Sequence, residues 1–323
     1  MAVKGELTSK VAELLRRDGF QVVDCQGIRS CFDLFARRGE TLFVIKVVSN
    51  VEGFTSKSSV EIRQVANMLS GLPLIVTERM KHSDLKDGVI YSRHGVNVVT
   101  LNTLEGVIES TLASTYSIRG NYCTQLNPEK LVSLRKKYGL NQEDLAREVG
   151  VSKQSIYRYE SSGRAAVDVA ERLEEFFGQN LRKEFGFFDL EGELQRPAKL
   201  EFGRDYHITE LKRRVLQCFR DMGFSTSLTN APFNVMASDS ELKRMREKPR
   251  RGRTMIEVLS VVTNDPQKLD KRVSVVNEIS EMVGGYSMTI SERSFDVESK
   301  VIRPRDLEGI SKRKELIRFL KEI

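Results

Sequence analysis

The chain repeats itself. Glu6-Leu-Thr-Ser-Lys-Val-Ala-Glu-Leu-Leu-Arg-Arg-Asp-Gly-Phe20 aligns without gaps on Glu210-Leu-Lys-Arg-Arg-Val-Leu-Gln-Cys-Phe-Arg-Asp-Met-Gly-Phe224. In both stretches the apolar residues fall at helical spacing: Leu7, Val11, Leu14 and Leu15, then Leu211, Val215, Cys218 and Phe219. Further matches keep their order. Phe32-Asp33-Leu34 corresponds to Phe233-Asn234-Val235, and Phe43–Ser49 to Thr254–Ser260. Leu74–Arg79 corresponds to Met288–Arg293, and Leu104–Gly106 to Leu307–Gly309. Ordered matches at slowly drifting offsets read as one duplicated domain. Each copy reads helix, strand, strand, helix, strand, strand, helix, its short Val- and Ile-rich runs being buried strands. Polar segments at Ser114–Asn127 and Asp189–Asp205 mark the boundaries. The expected division is an α/β copy at 1–117, a different middle domain at 125–188, and a second copy at 204–323.

Composition narrows the class. Apolar residues make up 40% and charged residues 30% of 323 residues, an ordinary globular balance. No run approaches the ~18–20 apolar residues of a membrane span, and the most apolar stretch, Leu42–Val48, is broken by Lys46. The first residues lack the apolar core of a signal peptide, so a cytoplasmic protein without a membrane partner is expected. Cys25, Cys31, Cys123 and Cys218 form no CxxC pair, and His82, His94 and His207 show no ligand spacing. Free thiols, no metal site and no cofactor follow as expectations. The net charge of +7 permits a polyanionic partner. Eight of the cations, against five carboxylates, lie between Pro128 and Arg164.

That middle segment is dense in helix punctuation. Asn127-Pro128-Glu129 supplies a capping side chain, a proline at the first helical position and an acid facing the helix dipole. Leu131 and Leu134 follow, and Gly139 stops the helix. Asn141 caps a second helix over Gln142–Val149, Gly150 permits a tight turn, and Ser152 caps a third over Lys153–Glu160, anchored by Ile156 and Tyr159. A fourth amphipathic helix, Val167–Phe177, closes the core with Val169, Leu173, Phe176 and Phe177.

These residues resemble the lambda-repressor-like (Cro/C1, XRE-type) helix-turn-helix family. The match runs through Leu134-Arg135, Leu140-Asn-Gln-Glu-Asp-Leu-Ala146, Val149-Gly-Val-Ser152 and Ile156-Tyr-Arg-Tyr-Glu160. The resemblance implies a bundle of four or five helices that lays Lys153–Tyr159 in the major groove of double-stranded DNA. Gln142 would contact a phosphate at a helix N-terminus. Lys153, Gln154 and Arg158 would face base edges, with Ser155 and Tyr157 at the backbone and Ser152 and Arg164 completing the DNA-binding set. Arg135 and Glu160 match a pair that bridges the first and third helices. The family's glycine soon after that glutamate is displaced here by Ser161-Ser162-Gly163. A bundle used only for protein contact is the blander reading. Against it stands a cationic face on the third helix that lacks carboxylates.

In the flanking copies, the order helix, Phe32-Asp33-Leu34, hairpin, Val44-Ile45-Lys46, helix is similar to the restriction-endonuclease/Holliday-junction-resolvase fold. That likeness implies Asp, then Glu-x-Lys on the next strand, with two carboxylates for Mg²⁺ and a lysine near the scissile phosphate. Asp33 and Lys46 fill two positions, but Val44 stands in place of the second carboxylate. In the second copy Asn234 replaces the aspartate and Glu257 aligns with Lys46. A degenerate copy serving dimerisation, DNA wrapping or ligand sensing therefore outweighs a nuclease, and no catalytic residue is expected. An insertion in the second copy carries Lys243, Arg244, Arg246, Lys248, Arg250, Arg251 and Arg253 against one Glu247. It reads either as a solvated loop or as a set of DNA phosphate contacts. Glu78-Arg79 and Glu292-Arg293 recur after equivalent strands and are expected to form structural ion pairs.

The sequence thus points to a multidomain α/β plus all-α protein, a helix-turn-helix bundle between two diverged α/β copies. The expected function is sequence-specific DNA-binding transcription regulation by a homodimer built through the α/β copies. A DNA-processing nuclease and a protein-interaction scaffold are the alternatives. The whole architecture also resembles helix-turn-helix transcriptional regulators of about this length found in archaea. No effector motif is legible.

Overall fold

The computed structural model describes residues 2–108, 115–118, 121–183, 208–239, 257–295, 297 and 301–321. The cationic run from Lys243 to Arg253 and the boundary segment from Asp189 to Asp205 lie outside them. The chain forms two compact units, one from Met1–Val47, Ser56–Pro73 and Ala198–Ile323, the other from Val48–Thr55 and Leu74–Pro197.

In the first unit, helix α1 (Ala2–Arg17) buries Val11 and Leu15 and ends at Gly19, whose φ of 79° suits a residue without a Cβ. Strands β1 (Gln21–Asp24), β2 (Leu34–Arg38) and β3 (Thr41–Val47) follow as an antiparallel meander, with Val22 opposite Ala36 and Phe35 opposite Val44. Strand β1 is missing from the order expected above. Four residues with only two apolar ones give too little alternation to register as a strand. Helix α2 (Ser56–Met68) packs its buried Ile62, Val65 and Ala66 on this layer, and β4 (Leu72–Val76) comes next.

The second copy repeats the plan. Helix Glu210–Asp221 precedes strands Phe224–Leu228, Val235–Asp239 and Glu257–Val262, again an antiparallel meander. Helix Leu269–Val283 leads to Tyr286–Ile290, parallel to Glu257–Val262, and Val301–Ile302 completes a five-stranded sheet. The equivalence extends to single bonds. Asp33 N–H donates to Ile45 O at 2.8 Å and Asn234 N–H to Ser260 O at 3.0 Å. The side chain of Asp33 accepts from Val47 N at 2.9 Å, and that of Asn234 from Val262 N at 2.8 Å. This register corrects the alignment of the third strand. Lys46 corresponds to Val261, and Glu257 corresponds to Leu42, the neighbour of Gly71 as Glu257 is of Gly285. Val-rich strands resemble themselves at several shifts, so side-chain identity alone slipped the match.

The copies hold each other reciprocally. Gln64 on α2 donates to Leu228 O at 3.1 Å and to Ser227 Oγ, on the strand equivalent to β1. In return Lys268 and Lys271, at the start of the helix equivalent to α2, donate to Gly27 O at 2.8 Å and Gln26 O at 2.7 Å, just beyond β1. Each copy thus lays its central helix against the first strand of the other, the exchange expected of a twofold, self-complementary interface. Cys31 N–H also donates to Asn230 O at 2.6 Å, and Asn230 Nδ2 lies 3.3 Å from Glu61 Oε2.

In the second unit, Leu74–Val76 of β4 pair in parallel with Val96–Val99, which is antiparallel to Val89–Arg93. Thr115–Ile118 joins parallel to Val89–Arg93, and Asn121–Gln125 and Arg164–Ala166 extend the sheet antiparallel. The segment read as a polar linker therefore contains two paired strands, anchored by the buried side chains Tyr116 and Thr124. Helix α3 (Leu101–Ile108) precedes these strands. Four more helices follow among the described residues: α4 (Pro128–Lys137), α5 (Gln142–Glu148), α6 (Lys153–Ser162) and α7 (Val167–Phe177). Their shared core contains Leu131, Leu134, Leu145, Ala146, Ile156, Val169, Leu173 and Phe177. The strands contribute Leu126 and Ala165, and Leu181 closes the end. No helix among the described residues is long and apolar enough to cross a membrane.

Candidate nucleic-acid interface

The helix-turn-helix is set by its caps. Asn127 Oδ1 accepts from Lys130 N at 3.0 Å at the start of α4. Asn141 Oδ1 accepts from Glu143 N at 2.8 Å and Asp144 N at 3.0 Å, while Asp144 returns a bond to Asn141 N, a full capping box on α5. Gly150, with φ 65°, makes the turn, and Ser152 Oγ accepts from Ser155 N at 3.1 Å to begin α6.

On α6, Ile156 and Tyr159 face the core, the first fully buried and the second nearly so. Lys153, Gln154, Tyr157 and Arg158 are exposed on the other side, Tyr157 to 61%. Lys153 Nζ stands 3.8 Å from Glu143 Oε2 on α5, so the neighbouring helix brings a carboxylate to a face that carries none of its own. Arg158 Nη2 rests 3.3 Å from Ser155 Oγ, and the Ser152 and Ser155 hydroxyls are 2.9 Å apart. Arg164 is exposed on the strand that follows.

Glu160 ties three helices together. Arg135 on α4 donates to it through two nitrogens, Nη2 at 3.2 Å from Oε2, and Gln142 Nε2 on α5 donates to the same oxygen at 2.7 Å. Arg135 Nη1 also reaches Leu140 O at 2.9 Å. Gln142 is therefore drawn partly inward and its side-chain amide is engaged on Glu160. After Glu160 the helix runs one half-turn further to Gly163, at φ 73°. There Leu126 N–H donates to Gly163 O at 2.7 Å and Gln125 Nε2 to Ser162 O at 2.5 Å. A Cβ at Gly163 would come within 2.5 Å of Leu126 O, which explains the glycine. Sequence reasoning missed this strand-to-helix bolt because Gln125 and Leu126 are ordinary residues in a stretch that reads as polar.

The seven cations between Lys243 and Arg253 lie outside the described residues. Glu78 and Arg79 do not pair as expected: Glu78 Oε1 accepts from Leu101 N at 2.9 Å, and Arg79 lies 3.4 Å from Asp84. Glu292 instead meets Arg214 at 3.2 Å.

In the first copy Asp33 and Lys46 do come together, Lys46 Nζ lying 3.3 Å from Asp33 Oδ1. The same oxygen takes Lys4 Nζ at 2.9 Å, and Lys46 also donates to Ser30 O at 3.2 Å. Val44 is fully buried. In the second copy Asn234 makes two bonds to Val262, donating to its O and accepting from its N, both at 2.8 Å.

Comparison with known proteins accords with this geometry. Residues 4–112 match a PD-(D/E)XK superfamily domain and residues 131–183 match a helix-turn-helix family. The divalent ion associated with the first of these has no ligand set here. Asp33 is engaged by two ammonium groups and a backbone N–H, no second carboxylate stands at Val44, and Asn234 is neutral. Among the described residues no cluster of three His, Cys, Asp or Glu side chains could hold a metal.

Relatives match over most or all of the length. A Pyrococcus furiosus protein is 30% identical over 333 aligned residues, covering 99% of this chain and 98% of its own. A Methanocaldococcus jannaschii protein is 26% identical, with 100% and 97% covered, and one from Thermococcus gammatolerans is 29% identical, with 87% and 96% covered. All three carry the name "Putative HTH-type transcriptional regulatory protein". No solved structure matches. A chain with a central helix-turn-helix whose caps are intact, and which aligns over 99% of its length with the Pyrococcus furiosus protein, belongs to this family of HTH-type transcriptional regulatory proteins.

Proposed function

We propose that the protein is a sequence-specific DNA-binding transcriptional regulator that reads the major groove with α6. The observation that carries this is the exposed face Lys153, Gln154, Tyr157 and Arg158, held at a fixed pitch by the buried Ile156 and Tyr159. Arg and Lys suit guanine O6 and N7, and Gln suits adenine N6 and N7, each bidentate contact giving ~1–3 kcal/mol of discrimination. Tyr157 on that face and Ser155 beside it make backbone contacts, and Ser152 and Arg164 flank them on the DNA-binding side. With its amide on Glu160, Gln142 offers a phosphate its backbone N–H at the first turn of α5. The Lys153–Glu143 pair is open to solvent and yields readily to a phosphate or base.

A single module covers only ~600–1,000 Å² on DNA, so tight binding calls for two modules on half-sites about one helical turn apart. We therefore assign a homodimer acting in the cytoplasm. The reciprocal surfaces of the α/β copies already engage each other within one chain, so the dimer uses other surfaces. The test is selection from a random duplex library at near-physiological salt. An enriched motif with two symmetric halves supports regulator and dimer together. Retention without a motif removes the reading and leaves an architectural protein; no retention, with or without an effector, leaves a protein-contact scaffold.

The PD-(D/E)XK match favours a second reading, a DNA-processing nuclease. It requires Mg²⁺- or Mn²⁺-dependent cleavage lost in Asp33→Ala. The ion-paired state of Asp33 and the absence of a carboxylate at Val44 weigh against it. Cleavage by the wild-type chain would restore it.

A further inference from the structure

We propose that the second unit contains an effector site for a small zwitterion with an apolar side chain, of amino-acid to dipeptide size. The site is a cavity of about 530 Å³ lined by Lys86, Val89, Thr115, Tyr122, Ala166, Val167, Asp168 and Glu171, within the ~300–1,000 Å³ range of small-molecule pockets. The proposal rests on the regulator reading only for its consequence on DNA; binding itself is independent of it.

The strand register makes the floor. Val89 lies opposite Thr115, Thr115 opposite Thr124, and Tyr122 two residues from Thr124, so Val89, Thr115 and Tyr122 share one face of the sheet. The wall is the first two turns of α7, where Asp168 and Glu171, three residues apart, lie on one side of the helix. Lys86 Nζ stands 5.0 Å from the centre of the Tyr122 ring, a cation–π contact. Tyr122 in turn meets Tyr91 edge-on at 6.4 Å.

Charge selects the occupant. Among the described residues Lys86 pairs with no carboxylate, while Asp168 is shared with Arg172 at 3.3 Å and Glu171 with Arg182 at 3.4 Å. Both carboxylates remain largely exposed, so each can accept a further cation. A plain anion would be repelled by Asp168 and Glu171, and a plain cation by Lys86. A neutral apolar molecule would strip water from all three without replacing it, which is costly. A molecule carrying one carboxylate and one ammonium, with its side chain on Val89 and Tyr122, satisfies every wall.

Occupancy bears directly on the recognition helix. Tyr122 and Ala166 lie on adjacent strands, with Cys123 opposite Ala166. The strand of Tyr122 continues into Gln125 and Leu126, which clamp Ser162 and Gly163 at the end of α6, and the strand of Ala166 begins directly after Gly163. A ligand drawing Lys86 and α7 together therefore acts on the element that fixes the exit of α6, biasing its presentation through contiguous hydrogen bonds.

The test is calorimetric titration of the full chain, without DNA, by each standard amino acid and by leucyl-leucine. One or a few probes with apolar side chains should bind, one per chain. Lys86→Met and the double replacement Asp168→Asn/Glu171→Gln should each weaken binding at least about tenfold, ~1.4 kcal/mol, with unchanged thermal melting. The N-acetylated form of the bound probe should fail to bind. No binding by any probe, binding indifferent to these substitutions, or equal binding of the N-acetylated form overturns the site. Repeating the titration with a selected operator separates the two readings: ligand binding without sequence-specific DNA binding leaves the site standing and removes the regulator.

Discussion

Arg135 on α4 grips Glu160 on α6 through two nitrogens, with only 12% and 8% of the two side chains exposed. The pair carries the third helix of the motif on the first, and the amide of Gln142 adds the second helix to the same carboxylate. Removing one partner of a buried pair leaves an uncompensated charge, costing ~3–5 kcal/mol. Arg135→Met should therefore destabilise the helix-turn-helix unit by about that amount in urea unfolding. Arg135→Met/Glu160→Leu should recover most of the loss. A loss below ~1 kcal/mol in the single variant, the scale of an exposed pair, would show that the clamp is not what orients α6.

Arg158 is exposed, and among the described residues its guanidinium is held by Ser155 at 3.3 Å, which leaves it available to a base edge. Arg158→Ala should cost ~1–3 kcal/mol at one base position and relax specificity there. Competition assays against single-base operator variants read this out. A uniform loss across all sequences would make Arg158 a phosphate contact instead.

Asp33 and Asn234 occupy one structural position with the same backbone bonds. The double replacement Asp33→Asn/Lys46→Val copies the arrangement of Asn234 and Val261 in the other half of the chain. It should keep stability within ~1 kcal/mol, whereas Asp33→Ala strands Val47 N–H and Lys46 and should cost ~1–3 kcal/mol. Thermal melting decides. If the double variant unfolds, Asp33 serves more than the strand bond and its ion pairs. A Mg²⁺-dependent nicking assay on the wild type should give no product.

Burial pushes the Cys31 thiol up to about 12, with the Glu61 carboxylate adding to it, and burial raises Cys25 well above its ordinary range. Raised values mean that both stay protonated, and so unreactive, at pH 8. Labelling of the folded protein with a disulfide reagent should spare both and reach only the half-exposed Cys123 and Cys218, slowly, until denaturant is added. Rapid labelling of Cys31 would mean that the contact with Asn230 opens readily.

The helix-turn-helix was legible because its signals are local. Asn127, Asn141 and Ser152 cap the helices that follow them, and α7 begins and ends at the expected residues. The duplication was legible because the Glu6 and Glu210 helices share a pattern without gaps. What was not legible is long-range. Strand β1 has too few residues to alternate, and the register that pairs Lys46 with Val261 depends on hydrogen bonds rather than side-chain identity. The bolt from Leu126 to Gly163 and the contact of Asn230 with Cys31 join residues far apart in the chain, with no spacing rule to announce them. The engagement of Gln142 on Glu160 also had to be seen, since a helix N-terminus suggests only an outward reach.

The most direct measurement is the ratio of affinities for the selected operator and a scrambled duplex at one fixed salt concentration. It should be taken for the wild type and for Lys153→Ala/Gln154→Ala/Arg158→Ala. Reading by α6 predicts a ratio of at least ~10³ for the wild type and a collapse toward unity in the triple variant, with the melting temperature retained. Equal ratios in the two proteins would contradict it, because the sequence would then be read by something other than the exposed face of α6.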